Sequence, residues 1–156
     1  MAGLFRVLEN LDAQPLCDEL LDGTPIPNTV FQEPKTLIPS REMAGLYHRA
    51  SFLSGERSIG LRAGASLRFR EVGTFGAYVS QAPTLLEAFH RIRACLGYYS
   101  SCGTINVSTV GDELIVESYN ANQELTGFRQ TGDVAVAIMW GLAQEYLLPG
   151  SAPIRT

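Results

Sequence analysis

Cysteine is scarce in this chain, and its scarcity excludes two classes of small protein. The 156 residues include three cysteines, Cys17, Cys95 and Cys102. An odd number of cysteines without a close C-x-x-C pair argues against a disulfide framework and against a structural zinc site. We therefore expect small buried thiols in a reducing compartment.

Positive charge is scarce as well. Lys35 is the single lysine, and 12 basic residues against 16 acidic ones give a net charge of −4. Because DNA is bound mainly by Lys and Arg side chains that release counterions from its phosphates, we do not expect this chain to hold DNA itself. Charged residues make up only 18% of the chain, below the usual ~25%, which indicates a partner surface or an apolar cavity.

Long hydrophobic runs are missing too. Nowhere do about 18 apolar residues run together, so the sequence predicts no membrane-spanning helix. Acidic residues within the first dozen positions exclude a signal or transit peptide. We expect a cytoplasmic protein, and 156 residues suit one domain.

The first 39 residues predict a helical and proline-rich segment ahead of a core at 40–156. Apolar residues at helical spacing predict a short helix from Leu4 to Leu11. A second turn of helix is expected from Pro15 to Leu21. Four prolines between residues 22 and 39 exclude a long helix or a central strand there, so we expect a mostly extended connection.

Two helical segments and a glycine-rich stretch follow. Ser40 is suited to be an N-cap, and Gly55 stands where a left-handed C-terminal residue is wanted. Residues 58–67 predict one or two helical turns. Gly73 and Gly76 do not match a dinucleotide-binding loop, and we expect them to allow a tight backbone path.

Two strong helices are predicted in the second half. Thr84 and Glu87 form an S/T-x-x-E capping box at the start of the first. The other runs from Thr131 to Leu148 and is apolar almost all round, which is typical of a central core helix or of half a subunit interface. Ala152 to Thr156 resembles the beginning of another strand.

Between these helices the hydrophobic period changes from 3.6 to 2. Residues 105–110 and 113–119 predict two strands that Gly111 and Asp112 join as a hairpin. Both faces of the second strand are partly apolar, so we expect it to lie inside a larger sheet. The predicted fold is α+β, with a small antiparallel sheet packed against several helices in a single domain.

This order of elements resembles the N-terminal arabinose-binding-like domain of AraC-type transcription regulators. The matching segments are IPSREMAGLYHRA (38–50), SIGLRAGASLR (58–68), VGTFGAYVSQAPTLLEAFHRI (72–92) and the hairpin after them. The resemblance covers roughly residues 25 to 156. It implies a domain that binds a small effector, dimerises, or both, and that acts on a C-terminal helix-turn-helix DNA-binding domain expected beyond residue 156.

The sequence does not predict an enzyme, a metal site or a cofactor. His48 and His90 are the only histidines, and neither stands beside an H-E-x-x-H motif or a carboxylate cluster. A G-x-S-x-G nucleophile elbow is also missing.

Large rings with one polar atom suit an effector pocket, although they suit a core or an interface equally well. The candidate ligand-binding residues are Tyr98, Tyr99, Glu117, Tyr119 and Trp140. Glu117 is among them because a carboxylate in the middle of a strand needs a partner. The candidate homodimer contacts are Phe89, Met139 and Trp140. The alternative function is a stand-alone protein-interaction or dimerisation module that binds no ligand.

Overall fold

Amphipathic and small-residue segments fold as helices around one hairpin in the computed structural model, which describes residues 2–11, 16–33 and 36–147. The helices are α1 (Ala2–Asn10), α2 (Leu16–Leu21), α3 (Ser40–Ser54), α4 (Ile59–Ala65), α5 (Gly73–Val79), α6 (Leu85–Tyr99) and α7 (Phe128–Tyr146), and the strands are β1 (Gly103–Val110) and β2 (Glu113–Asn120). The predicted α+β class is confirmed. The strand expected at 152–156 lies outside the described residues.

At α3 one predicted end is confirmed and the other is displaced by one residue. Gly55 ends α3 with a φ of 70°, as predicted. Ser40, however, is the first residue of α3, and Pro39 occupies the N-cap position. The Ser40 hydroxyl instead accepts a hydrogen bond from the side-chain amide of Asn122 at 2.8 Å, so a tertiary contact has displaced the predicted cap.

The capping box at α6 is half formed. The Thr84 hydroxyl accepts from the Glu87 amide at 3.2 Å. The Glu87 carboxylate accepts from the guanidinium of Arg91 at 3.1 Å. Arg91 also donates to the carbonyl of Tyr78 at 2.9 Å, and this link holds α5 against α6.

The glycine-rich stretch forms α5, a helix that the sequence did not indicate. A side chain at Gly76 would overlap the carbonyl oxygen of Phe69. The glycine therefore allows the close backbone path that we predicted. The helix itself depends on this tertiary contact more than on local pattern.

The hairpin has the predicted turn, with Gly111 at a φ of 59° and eight cross-strand pairs in unbroken register. The expectation of a larger sheet is wrong for the described residues, where the sheet contains β1 and β2 alone. One face of β1 is buried through Ile105 and Val107. The apolar residues on the opposite face of the hairpin, Ile115 among them, are exposed because no second layer covers them in this part of the chain.

Two clusters of buried side chains form the core. The first cluster lies among α1 to α4 and is built from Leu4, Val7, Leu8, Leu20, Leu21, Ile26, Val30, Leu46, Tyr47, Ala50, Ile59 and Ala63. The second cluster lies among α5, α6, the hairpin and α7 and is built from Phe69, Val79, Ala82, Ala88, Phe89, Ile92, Ile105, Val107 and Leu142. Helix α7 contributes to both, through Val134 to the first and through Ile138 and Met139 to the second.

Helices α4 and α7 pack at very short range because α4 presents glycine to its neighbour. A Cβ atom at Gly64 would lie 2.6 Å from the carbonyl oxygen of Val134 and 2.7 Å from Cβ of Ala137. At Gly60 it would overlap the carbonyl oxygen of Gln130. Small residues four apart thus let the two backbones touch, as at close helix crossings generally.

The side chain of Gln130 fastens this crossing. It is 8% exposed, and its Oε1 accepts from the Gly60 amide at 2.9 Å. Its Nε2 donates to the carbonyl of Arg57 at 2.8 Å. One buried amide therefore satisfies an otherwise unpaired donor at the start of α4 and joins that helix to α7.

An ion pair joins α1 to the segment that follows α4. The guanidinium of Arg6 donates to both carboxylate oxygens of Glu71 at 3.1 Å and to the carbonyl of Ser66 at 2.8 Å. The hydrogen bonds from Arg6 to Glu71, together with the one that the Arg68 amide donates to the same carboxylate, lower the pKa of Glu71 to about 2. The lowered pKa favours the folded state above the ordinary carboxyl range, and this contribution is lost as the pH falls toward 2.

We expect Gln130→Ala to lower the free energy of unfolding by about 1–3 kcal/mol, because it leaves the buried amide of Gly60 and the partly buried carbonyl of Arg57 without their side-chain partner. Gln144→Ala is the matched control, since Gln144 is exposed on the same helix and should change stability by less than about 0.5 kcal/mol. Urea denaturation measures both. Equal effects of the two variants would contradict the role given to Gln130.

Candidate functional site

The C-terminal end of α6 carries two adjacent tyrosines with different surroundings. Tyr98 is 95% exposed, whereas Tyr99 is 57% exposed. The Tyr99 ring stacks on Phe75 of α5, with centroids 5.0 Å apart and planes 13° apart. The ring of Phe75 in turn packs on the ring of Phe69, with centroids 5.8 Å apart. Tyr99 therefore has a fixed ring position, and Tyr98 presents its whole ring to solvent.

A third tyrosine, Tyr47 of α3, interacts electrostatically with Tyr99. Its ring is buried in the first cluster. Burial raises the pKa of Tyr47, and the negative charge that Tyr99 would carry when ionised raises it further. Burial also raises the pKa of Tyr99. A tyrosine hydroxyl is protonated at neutral pH even without such a shift, so the Tyr99 hydroxyl can donate a hydrogen bond to a ligand oxygen.

Glu117 and Tyr119 form a polar group on the outward face of the hairpin. The Glu117 carboxylate accepts from the side-chain amide of Asn106, its cross-strand partner, at 3.0 Å. The negative charge of Glu117 raises the pKa of Tyr119, as does the hydrogen bond between the two side chains. The Glu117 carboxylate therefore has hydrogen-bond partners in Asn106 and Tyr119. It also lies on an exposed face, where water solvates its charge.

Helix α7 is less buried than its composition predicted. It begins at Phe128, three residues before the expected start, and its buried residues are Gln130, Leu142 and Ala143. Val136 is 47% exposed and Trp140 is 37% exposed. The expectation of a helix buried on all sides is therefore wrong for this chain, and the half-exposed apolar face is what the second expectation, half of an interface, requires.

The three candidate interface residues lie at different depths. Phe89 is 5% exposed in the second cluster, so its side chain packs below the surface. Met139 is partly buried against the same cluster. Trp140 is the most accessible of the three.

The candidate ligand-binding residues fall into three groups, at the end of α6, on the outer face of β2 and on α7. No hydrogen bond or ring contact within the described part of the chain joins one group to another. Their convergence on a single ligand stays a prediction.

Metal and redox features are sparse in residues 2–11, 16–33 and 36–147. In these ranges no three His, Cys, Asp or Glu side chains come together as metal ligands would. Cys17, Cys95 and Cys102 are free thiols of intermediate exposure. Nor does any helix there have the length and apolar character needed to cross a membrane.

The sequence did not indicate three residues that position the candidate site and α7. Tyr47 and Phe75 approach Tyr99 only through tertiary packing, so no local pattern could place them. The sequence indicates Gln130 only weakly: it is a polar amide near the start of an apolar helix, and the segment at 58–67 contains glycines against which such a helix could pack. Its pairing partner could not be read from either segment alone.

Two comparisons bear on this geometry. The sequence model of one protein family, described as the arabinose-binding domain of AraC transcription regulator, N-term, matches residues 16–155. That range contains all of α2 to α7 and the hairpin. A search of curated proteins gives no match.

We expect Tyr99→Ala to lower the free energy of unfolding by about 1–2 kcal/mol, because it removes a stacked ring pair and its buried area. Tyr98→Ala is the neighbouring control and should leave stability within about 0.5 kcal/mol of the parent, since its ring is 95% exposed. Thermal and urea denaturation measure both variants. A larger loss for Tyr98→Ala than for Tyr99→Ala would contradict the assigned packing.

Proposed function

The chain belongs to the family of N-terminal arabinose-binding domains of AraC transcription regulators, and on this premise we propose that it senses a small-molecule effector as a homodimer. In this proposal it controls a separate C-terminal DNA-binding domain of a cytoplasmic regulator and performs no catalysis itself. The net charge of −4 supports a division of labour in which another domain contacts the DNA phosphates.

The observation that carries the proposal is the position of α7. One side of this helix packs on both core clusters, and its other side leaves Val136 and Trp140 exposed. A helix with this arrangement contacts the interior of the domain and also contributes to the surface to which a partner would bind. Large apolar residues at such a surface are typical of protein interfaces.

The proposed effector contacts are the rings of Tyr98, Tyr99, Tyr119 and Trp140 together with the Glu117 carboxylate. Tyrosine rings would supply apolar faces with an oriented hydroxyl, and Glu117 would accept hydrogen bonds from a ligand donor. The Tyr99 ring, fixed on Phe75, links such a ligand to α5 and the second cluster.

Sensing requires that the effector bind two conformations of the domain unequally. The difference in binding free energy then shifts the population of one conformation, and with it the way in which the dimer presents its DNA-binding halves. In this proposal α7 carries the change, because a displacement of its C-terminal half moves Met139 and Trp140 together.

We expect a cognate effector to raise the melting temperature of the protein. At a hundredfold excess over Kd, binding adds about 2.7 kcal/mol, which is roughly 5–10 °C for a domain of this size. Arabinose, named in the family's description, is the first probe, followed by other sugars and small aromatic acids, with differential scanning fluorimetry as the measurement. Tyr98→Ala should keep the melting temperature of the free protein and abolish the shift.

If none of these compounds changes the melting temperature, the result favours the alternative of an interaction module without a ligand. A shift of equal size in Tyr98→Ala would retain sensing and remove Tyr98 from the contacts.

We expect Trp140→Glu to weaken dimerisation at least tenfold, about 1.4 kcal/mol, because it places a carboxylate in an apolar contact. Phe52→Glu makes a similar change at a residue of α3 that is 81% exposed and should leave the dimer unchanged. Light scattering gives the mass, and circular dichroism confirms folding. A folded Trp140→Glu variant with an unchanged dimer mass would rule out this surface.

A further inference from the structure

The last turn of α7 is bonded to both ends of one short segment. The Tyr146 hydroxyl donates to the carbonyl of Ala82 at 2.8 Å, beyond the C-terminal end of α5. The Glu145 carboxylate pairs with the guanidinium of Arg70 at 3.5 Å, ahead of the N-terminal end of α5. Two consecutive residues of α7 therefore contact both flanks of α5. We call residues 69–82 the α5 segment.

The α5 segment is closely packed within itself. The rings of Phe69 and Phe75 have centroids 5.8 Å apart. A Cβ atom at Gly76 would overlap the carbonyl oxygen of Phe69, so the backbone ahead of α5 lies directly against this helix. At the other end, the amide of Ala82 donates to the carbonyl of Val79 at 3.0 Å. A force applied at one end of this segment is therefore passed to the other.

The α5 segment also contacts a candidate effector residue. The Tyr99 ring stacks on Phe75, with centroids 5.0 Å apart. Tyr99 is 57% exposed, so a ligand can reach one part of the ring while another part packs on α5. One segment thus contacts both Tyr99 and the last turn of α7.

The two bonds to α7 differ in strength. The side chains of Arg70 and Glu145 are 57% and 29% exposed, and an ion pair in such surroundings contributes little because solvent screens it. The bond from Tyr146 is partly buried, and Ala82 is 7% exposed. Within the described residues, the backbone bonds outside helices and strands leave the Ala82 carbonyl unused. The Tyr146 hydroxyl is therefore the more important of the two links.

The last turn of α7 has little else to hold it. The amide of Leu147 closes this turn on the carbonyl of Ala143 at 3.2 Å. Helix ends carry unpaired carbonyl groups and open locally at a small cost in free energy. Whether this turn is closed or open therefore depends on the contact that Tyr146 makes with the α5 segment.

We propose that the α5 segment couples the Tyr99 ring to the last turn of α7, with the Tyr146 hydroxyl as the contact that transmits the change. An effector that moves Tyr99 on Phe75 would shift the α5 segment, weaken the bond at Ala82 and open the turn. The inference rests on the effector sensing proposed above and names the route from a ligand contact to the end of α7. The expected DNA-binding domain would follow that end.

Hydrogen exchange at the amides of residues 144–147 measures the opening of this turn without any effector. Tyr146→Phe keeps the ring and removes the hydroxyl, and we expect exchange about fivefold faster at these amides, the loss of one hydrogen bond. Tyr99→Ala should accelerate the same amides, by no more than that factor. Tyr98→Ala is the matched control, and because its ring is 95% exposed it should leave them unchanged.

A reference amide separates local opening from loss of overall stability. Val134 lies in the same helix and packs on the first cluster, so its amide reports unfolding of the whole domain. The amides of residues 144–147 should exchange faster than that of Val134 in every variant. Circular dichroism checks folding, and Tyr99→Leu, which keeps an apolar side chain without the stacked ring, replaces Tyr99→Ala if that variant does not fold.

The double variant Tyr99→Ala/Tyr146→Phe tests whether the two residues act along one route. If Tyr99 acts on the last turn through the Tyr146 hydroxyl, its removal has no further effect once that hydroxyl is gone. We therefore expect the double variant to exchange at the rate of Tyr146→Phe. If Tyr99→Ala has no effect on residues 144–147, or accelerates them equally with and without the hydroxyl, the inference is overturned.

The outcomes separate this inference from the proposed function. A coupled pair in a protein whose melting temperature no compound raises would support the route and overturn effector sensing. A melting temperature that a compound raises, together with independent effects of Tyr99→Ala and Tyr146→Phe, would retain sensing and overturn the route.

Discussion

The contact between α4 and α7 is the constraint on which the rest of the structure depends. Gly60 and Gly64 bring the two backbones into contact, and the buried amide of Gln130 satisfies the polar groups that this approach would otherwise leave unpaired. On its other side, α4 receives α1 in the same manner, since Gly3 lies against the carbonyl of Ala63. A side chain at either glycine of α4 would separate α7 from the first cluster, and the second cluster is attached to the first largely through α7.

The same arrangement explains why α7 is both apolar and half exposed. Its N-terminal half packs on α4 and α3, and its C-terminal half packs on the second cluster through Ile138, Met139 and Leu142. Only one side of the helix is needed for these contacts. The remaining side keeps Val136 and Trp140 at the surface.

Features with local causes could be predicted from the sequence, and features with tertiary causes could not. The left-handed end of α3 at Gly55 and the turn at Gly111 follow from backbone sterics at single residues, and both were predicted. The α+β class followed from the change of hydrophobic period. Helix α5 was missed because Gly76 serves a close contact with Phe69, and Ser40 was misassigned because Asn122 engages its hydroxyl. The aromatic candidates were found by residue type, but the stacking of Tyr99 on Phe75 beside Tyr47 joins segments far apart in sequence, so no pattern could place it.

The sensing proposal depends on the claim that two copies of this chain form one unit. Sedimentation equilibrium of the unaltered protein over a dilution series measures this directly. The account predicts a mass approaching twice 17.0 kDa at high concentration, falling toward 17.0 kDa on dilution. A mass of 17.0 kDa at every concentration would contradict it.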